Sequence, residues 1–240
     1  MKILFDNYAK GNSCNSLWGF AAYLERYKLL FDTGSNGRVL LQNIQDQDID
    51  VMEIEYLFIT HDHWDHIGGI DSIVELNPNL TIYAPKTLSK NHICDLKTLT
   101  KEVIVIGREP MHLFGELYST GLLGEKDPEH SLIIGDTSSP MLLTGCGHYG
   151  ISNIAKTANK IIGRRVKATI GGFHLLNASR EAIIAQIDTL KSMGVEYVMP
   201  THCTGDLAIE LFSEEFGEGF IEGGIGHSFI NESLREISFK

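Results

Sequence analysis

The sequence predicts an α/β fold: mixed β-sheets flanked by helices, in one domain with two related halves. Short apolar segments alternate with amphipathic ones along the chain. The first part reads as strand hairpins with few helices, and the second alternates strand with helix. No low-complexity stretch, linker or charge block interrupts the 240 residues, so a single domain over 1–240 is expected.

Residues 2–6 (KILFD) open as a strand, and 19–34 (GFAAYLERYKLLFDTG) read as a hairpin whose second strand, 28–31, ends at Asp32-Thr33-Gly34. Residues 56–60 have the pattern of a buried strand. Past the histidines that follow it, a helix over 69–76 stops at Asn77-Pro78. A strand at 80–83, a helix near 85–96 and a strand at 103–106 continue the rhythm, and strands at 132–135 and 141–144 flank a turn at 136–140. The order is then helix 151–162, strand 166–170, helix 180–192, strand 197–199 and helix 205–212. Ser179 is the expected N-cap of helix 180–192, with Ile183, Ile187 and Leu190 on one face. Residues 220–240 read as short closing strands.

Composition narrows the class. With 43% hydrophobic and 21% charged residues, the chain is neither disordered nor fibrous. Its apolar runs fall far short of the roughly 20 residues that span a bilayer. The start MKILFD meets Asp6 too early for a signal segment, so a cytoplasmic location and no membrane partner are expected. A net charge of −11 opposes broad nucleic-acid binding, which needs Lys and Arg at phosphates, and a small-molecule substrate is the expected partner. The four cysteines read as thiols or metal ligands. Ten histidines are about twice the usual proportion.

Those histidines are placed rather than scattered. His61-Asp62-His63-Trp64-Asp65-His66 follows the strand YLFIT and precedes Gly68-Gly69, whose freedom lets the backbone bend so that ligands converge. A polar surface loop with accidental histidines is the plain alternative, but the pattern arises by chance in roughly one such chain in a thousand. Strand MLLTG leads to Cys146-Gly147-His148, ATIGG to Phe173-His174, and YVMP to Thr201-His202-Cys203. Four strands thus deliver a His just past their carboxyl ends, where α/β sheets gather active groups.

His61, His63 and His148 suit one ion, and Asp65, His66 and His202 a second, each with an open position for a shared water. Two ions lower the pKa of that water and stabilise charge on attacking and leaving oxygens, while Asp65 also orients the nucleophile. Zn²⁺ fits the nitrogen-rich set; Mn²⁺ and Fe²⁺ stay open as alternatives.

The His-x-His-x-Asp-His signature, the upstream Phe31-Asp32-Thr33-Gly34 turn and the distant histidines resemble the metallo-β-lactamase superfamily over essentially the whole chain. Asp6-Asn7, the run from Thr144-Gly145-Cys146 through His148 to Ile151, Gly171-Gly172-Phe173-His174-Leu175 and His202-Cys203-Thr204-Gly205 narrow this to the subgroup that includes dihydropterin ribofuranosylaminobenzene 5′-phosphate synthases. The resemblance implies an αββα sandwich and a metal-dependent hydrolase acting on an ester, amide or phosphoester. Through the subgroup it also implies an alternative, a condensing enzyme whose metals assist loss of a phosphate-type leaving group from a pterin. Thr144-Gly145-Cys146 stands where many members carry a bridging Asp. Either Cys146 takes that role as a thiolate or the bridge is absent.

His174 is the expected substrate-facing acid or hydrogen-bond donor. Asp32 is expected to orient the ligand loop rather than bind metal. Asn177 and Ser179 open a helix after His174, where free N–H groups would receive a phosphate or carboxylate of the substrate, helped by Lys156, Arg164, Arg165 or Arg180. His92, His112, His130 and His227 read as structural or surface residues, and Cys14, Cys94 and Cys203 as plain thiols. Trp18, Tyr23, Trp64 and Tyr149 are candidate walls for a planar, pterin-like ligand. A reading from another class, a metal-loaded binding or sensor protein without turnover, predicts a coordinatively saturated site.

Overall fold

The computed structural model describes residues 1–9, 15–135 and 138–226. Cys14, His227, the first two residues of the expected turn at 136–140 and the expected closing strands beyond 226 lie outside them. The chain forms two compact units, Met1–Ile106 with the segment from Gly224, and Gly107–Gly223.

In the first unit, β1 (Lys2–Phe5), β2 (Ala21–Leu24), β3 (Leu29–Phe31), β4 (Tyr56–Phe58), β5 (Thr81–Pro85) and β6 (Glu102–Ile106) form a six-stranded sheet in sequence order. β1 to β3 pair antiparallel and β3 to β6 parallel. Parallel neighbours need crossovers. These carry α1 (Gly37–Asp46), α2 (Trp64–Ile67), α3 (Ile70–Leu76) and α4 (Lys90–Leu99). Leu30, Leu57 and Ile82 of the sheet pack with Leu40 and Ile44 of α1, Ile73 of α3 and Leu96 of α4. Each such side chain, fully buried, stabilises the fold by about 1.5–3 kcal/mol relative to exposure.

In the second unit, β7 (Met111–Phe114), β8 (Leu117–Ser119), β9 (Leu132–Ile134), β10 (Met141–Thr144), β11 (Ala168–Gly172) and β12 (Tyr197–Thr201) form the other six-stranded sheet. β7 to β10 are antiparallel, and β10, β11 and β12 run parallel with Thr144 beside Gly171 and Gly172 beside Thr201. Three loops therefore leave the sheet at one end, past the carboxyl ends of β10, β11 and β12. Between these strands lie α5 (Ile151–Ile162) and α6 (Arg180–Met193), and α7 (Asp206–Phe216) follows. Ile151, Ile154 and Ala158 of α5, Ile183 and Ile187 of α6, and Leu211 and Phe212 of α7 close its core. Ser179 caps α6 as expected, its side chain accepting from the Ala182 amide.

Two mixed sheets with flanking helices are the expected fold class, and the differences are local. The sequence reading has no counterpart for α1 or for the β7–β8 hairpin. The expected closing strands reduce, within the described residues, to single bridges of Phe220 with Val198 and of Ile225 with Ala9. No helix among the described residues is long and apolar enough to cross a membrane.

Candidate metal centre

The first unit holds its ligand-type side chains in the loop after β4. The loop is bolted to the turn after β3: the Thr33 amide and hydroxyl donate to the His66 carbonyl at 2.9 and 2.8 Å, and the Gly68 amide donates to the Gly34 carbonyl at 2.9 Å. Gly68 and Gly69 serve this closeness. Contrary to the freedom expected of them, their φ angles are −64° and −104°, ordinary for any residue. A Cβ on Gly68 would lie 2.3 Å from the Ser35 carbonyl oxygen, and one on Gly69 2.6 Å from that of Thr33.

Asp32 is fully buried and organises the rings. Its Oδ1 accepts the Thr60 amide and its Oδ2 the Thr60 hydroxyl, both at 2.8 Å, and Oδ2 lies 2.7 Å from His66 Nδ1. A hydroxyl has one proton. With that proton on Asp32, Thr60 Oγ1 must accept from His61 Nδ1, 2.8 Å away. Both rings are therefore fixed as Nδ1–H tautomers, and Nε2 is the nitrogen each would offer a metal. Burial pushes the Asp32 carboxyl above its ordinary value, while His66 and the Thr60 hydrogen bonds oppose that rise. The His61 ring centroid lies 4.5 Å from that of His63 and 4.3 Å from that of His66. Asp65 Oδ2 accepts the Trp18 indole N–H at 2.8 Å and lies 3.9 Å from His66 Nε2.

The second unit carries Cys146, His148, His174, His202 and Cys203 in the three loops beyond β10, β11 and β12. The sequence reading missed what shapes the first of these. Glu129, 2% exposed, accepts the four successive amides of Gly145, Cys146, Gly147 and His148 at 2.9–3.2 Å. Its Oε2 also lies 2.9 Å from His148 Nδ1. A carboxylate in a cradle of backbone amides holds the loop to one shape, and it sets its negative charge beside the His148 ring. The only trace in the sequence is an acid just before the apolar run of β9.

The His174 ring lies 4.6 Å from that of His148, and a hydrogen bond with Cys203 raises its pKa. Burial alone would raise the Cys203 thiol, but hydrogen bonds with Cys146 and His174 and the charge of His202 outweigh it and hold it well below the ordinary thiol range. Cys146 Sγ is 3.5 Å from His202 Nε2. His148, His174 and Tyr149 line a cavity of about 640 Å³ with Leu122, Leu123, Arg108, Lys126, Glu125 and Asp127, a size that suits a small molecule.

Other candidates fall elsewhere. Asn177 and Ser179 were expected to meet a substrate anion, yet Ser179 is used as the cap of α6 and neither residue lines the cavity. Glu181, at the same helix start, has its carboxyl lowered by its own amide and by Ser179, so the chain itself supplies the negative group there. The cations at the cavity are Arg108 and Lys126, not Lys156, Arg164, Arg165 or Arg180. Of the expected aromatic walls only Tyr149 lines it; Tyr23 is core, Trp18 holds Asp65, and Trp64 is 63% exposed. His130 is buried, with Nδ1 2.9 Å from Ser119 Oγ, and His112 Nε2 lies 2.8 Å from the Gly115 carbonyl.

Imidazoles with a fixed Nδ1–H and a buried carboxylate are the donor chemistry of a borderline divalent ion such as Zn²⁺. Two mixed six-stranded sheets, with such donors past their strand ends, define a class: the chain belongs to the metallo-beta-lactamase superfamily, whose family model matches residues 14–202. Among its relatives, the 7,8-dihydropterin-6-methyl-4-(beta-D-ribofuranosyl)-aminobenzene-5'-phosphate synthase of Methanocaldococcus jannaschii is 29% identical over 80% of this chain and 81% of that one. Among solved structures, Tm1679, a metal-dependent hydrolase of the beta-lactamase superfamily, is 25% identical with a TM-score of 0.77 over 93% of this chain and 95% of that one. YhfI from Bacillus subtilis, 18% identical with a TM-score of 0.65 over 92% and 94%, shares the fold.

Proposed function

We propose that this chain is a metal-dependent hydrolase of small-molecule esters, amides or phosphoesters. His61, His63, Asp65, His66, His148 and His202 would be the ligands of one or two Zn²⁺-type ions. The observation that carries the reading is the shared hold on two imidazoles of the histidine loop: Thr60 on His61 and Asp32 on His66. Each fixes the same tautomer, an arrangement that ligation uses and packing alone does not require. Bound there, divalent ions would activate water and stabilise negative charge on the substrate.

The chain's own groups supply the rest. Trp18 fixes the Asp65 carboxylate, so that its orientation toward a nucleophile does not vary. His174 stands in the cavity wall as a proton donor to a leaving oxygen, its raised pKa keeping the ring protonated further toward neutral pH. Arg108 and Lys126 offer positive charge to an anionic substrate and Tyr149 a face for a planar one.

The synthase relative supports a second reading, condensation with loss of a phosphate-type group from a pterin. Elemental analysis of the purified protein, with a panel of phosphoesters, lactones and dihydropterin phosphates, tests both. Metal-dependent hydrolysis that disappears with the metal in His61→Ala and His66→Ala is expected. Full metal content and turnover in those variants would overturn the assignment, and phosphate release only when a second substrate is present would favour the synthase.

A further inference from the structure

Cys146, His202 and Cys203 lie entirely within the second unit and are all buried; one donor atom from each falls within 4.8 Å of the other two. We propose that these three residues form a thiolate-bearing site for a thiophilic divalent ion, Zn²⁺ or Cd²⁺, with Cys203 as a ligand in its own right. The sequence reading treated Cys203 only as a thiol.

The geometry matches. Zn–S bonds of about 2.3 Å and Zn–N bonds of about 2.0–2.1 Å at a tetrahedral angle place sulfur and nitrogen roughly 3.6 Å apart. Cys146 Sγ and His202 Nε2 are 3.5 Å apart. The donors sit on rigid supports. The Cys146 amide is held by Glu129, and His202 and Cys203 begin the short 3-10 turn that directly continues β12. The Cys203 sulfur reaches back to within 3.4 Å of the Cys146 carbonyl oxygen, tying the two loops together. Two sulfurs and an imidazole select soft or borderline ions over Mg²⁺ or Ca²⁺.

The inference rests on Cys203, which the proposed centre does not use, so the two can fail separately. The test is titration of the full chain with ¹¹³Cd²⁺ followed by cadmium NMR, whose shift counts sulfur ligands, in the native protein, in the double variant His61→Ala/His66→Ala and in Cys203→Ser. An ion with two sulfur ligands is expected in the native protein and in the histidine variant. A one-sulfur signal with at least tenfold weaker binding is expected in Cys203→Ser. The native spectrum decides the matter even where the serine variant does not fold. One sulfur ligand or none in the native protein overturns the inference. If that ion also vanishes in the histidine variant, the proposed hydrolytic centre survives alone. Absence of any stoichiometric ion overturns both.

Discussion

Glu129 Oε2 lies 2.9 Å from His148 Nδ1 while the same carboxylate closes a ring of four consecutive backbone amides. Loop shape and the charge beside the His148 ring thus depend on one side chain, and two substitutions probe them. Glu129→Gln removes the charge beside His148 and sets an amide NH2 against loop N–H groups, and is expected to lower metal affinity about 10–100-fold. Glu129→Ala leaves four amides without their acceptor, three of them in buried residues, and is expected to lower stability by about 3–5 kcal/mol. Calorimetric metal titration and denaturant unfolding measure the two effects.

Asp32 and Thr60 hold His66 and His61 through one hydrogen-bonded chain. Asp32→Asn should disturb both rings and reduce metal affinity about 10–100-fold, whereas Thr60→Val should disturb chiefly His61 and cost less. Because the two substitutions break the same chain, their effects should fall short of additivity in the double variant. Strict additivity in metal titrations would show that the rings are held independently.

Gly172 is a packing requirement. A Cβ there would lie 2.4 Å from the Gly145 carbonyl oxygen and 2.7 Å from Cys203 Sγ, and the backbone atom cannot give way cheaply. Gly172→Ala is expected to destabilise by about 1–3 kcal/mol, with Tm falling about 2–4 °C per kcal/mol. Thermal unfolding at neutral pH measures it.

Tyr83 makes the alkaline limit of the fold predictable. Burial, with Tyr56 and Glu102 adding to it, raises its phenol to about 12. An unfolded tyrosine ionises near pH 10. Between these values the unfolded chain binds fewer protons than the folded one, so stability is intact below pH 10 and falls as pH rises toward 12. Tyr83→Phe should flatten that fall in unfolding measured across the alkaline range; an unchanged slope would assign it to other groups.

The parts of this protein visible in its sequence are those written in short-range pattern. α5 runs over Ile151–Ile162, as its spacing predicts, and Ser179 caps α6, because periodicity and capping are local. The histidine loop was legible because its donors are adjacent in the chain. Glu129 was not, since its partners lie 16 to 19 positions away and nothing in the spacing links them. α1 was missed although Asn36 caps it, because its polar residues dilute the apolar stripe of Leu40 and Ile44. The roles of Gly68 and Gly69 were misread for a related reason: a glycine needed for closeness and one needed for left-handed backbone look the same in a sequence.

Five non-glycine residues among those described adopt left-handed backbone: Lys28, Asp32, Asp48, His174 and His202. Such a conformation costs an L-residue about 1–2 kcal/mol that glycine avoids. Three of the five are site residues. Replacing His174 or His202 with glycine would relax the main chain at the point where it removes the imidazole, so each imidazole is carried on backbone strain that glycine would avoid. The imidazoles are burdens that the scaffold carries.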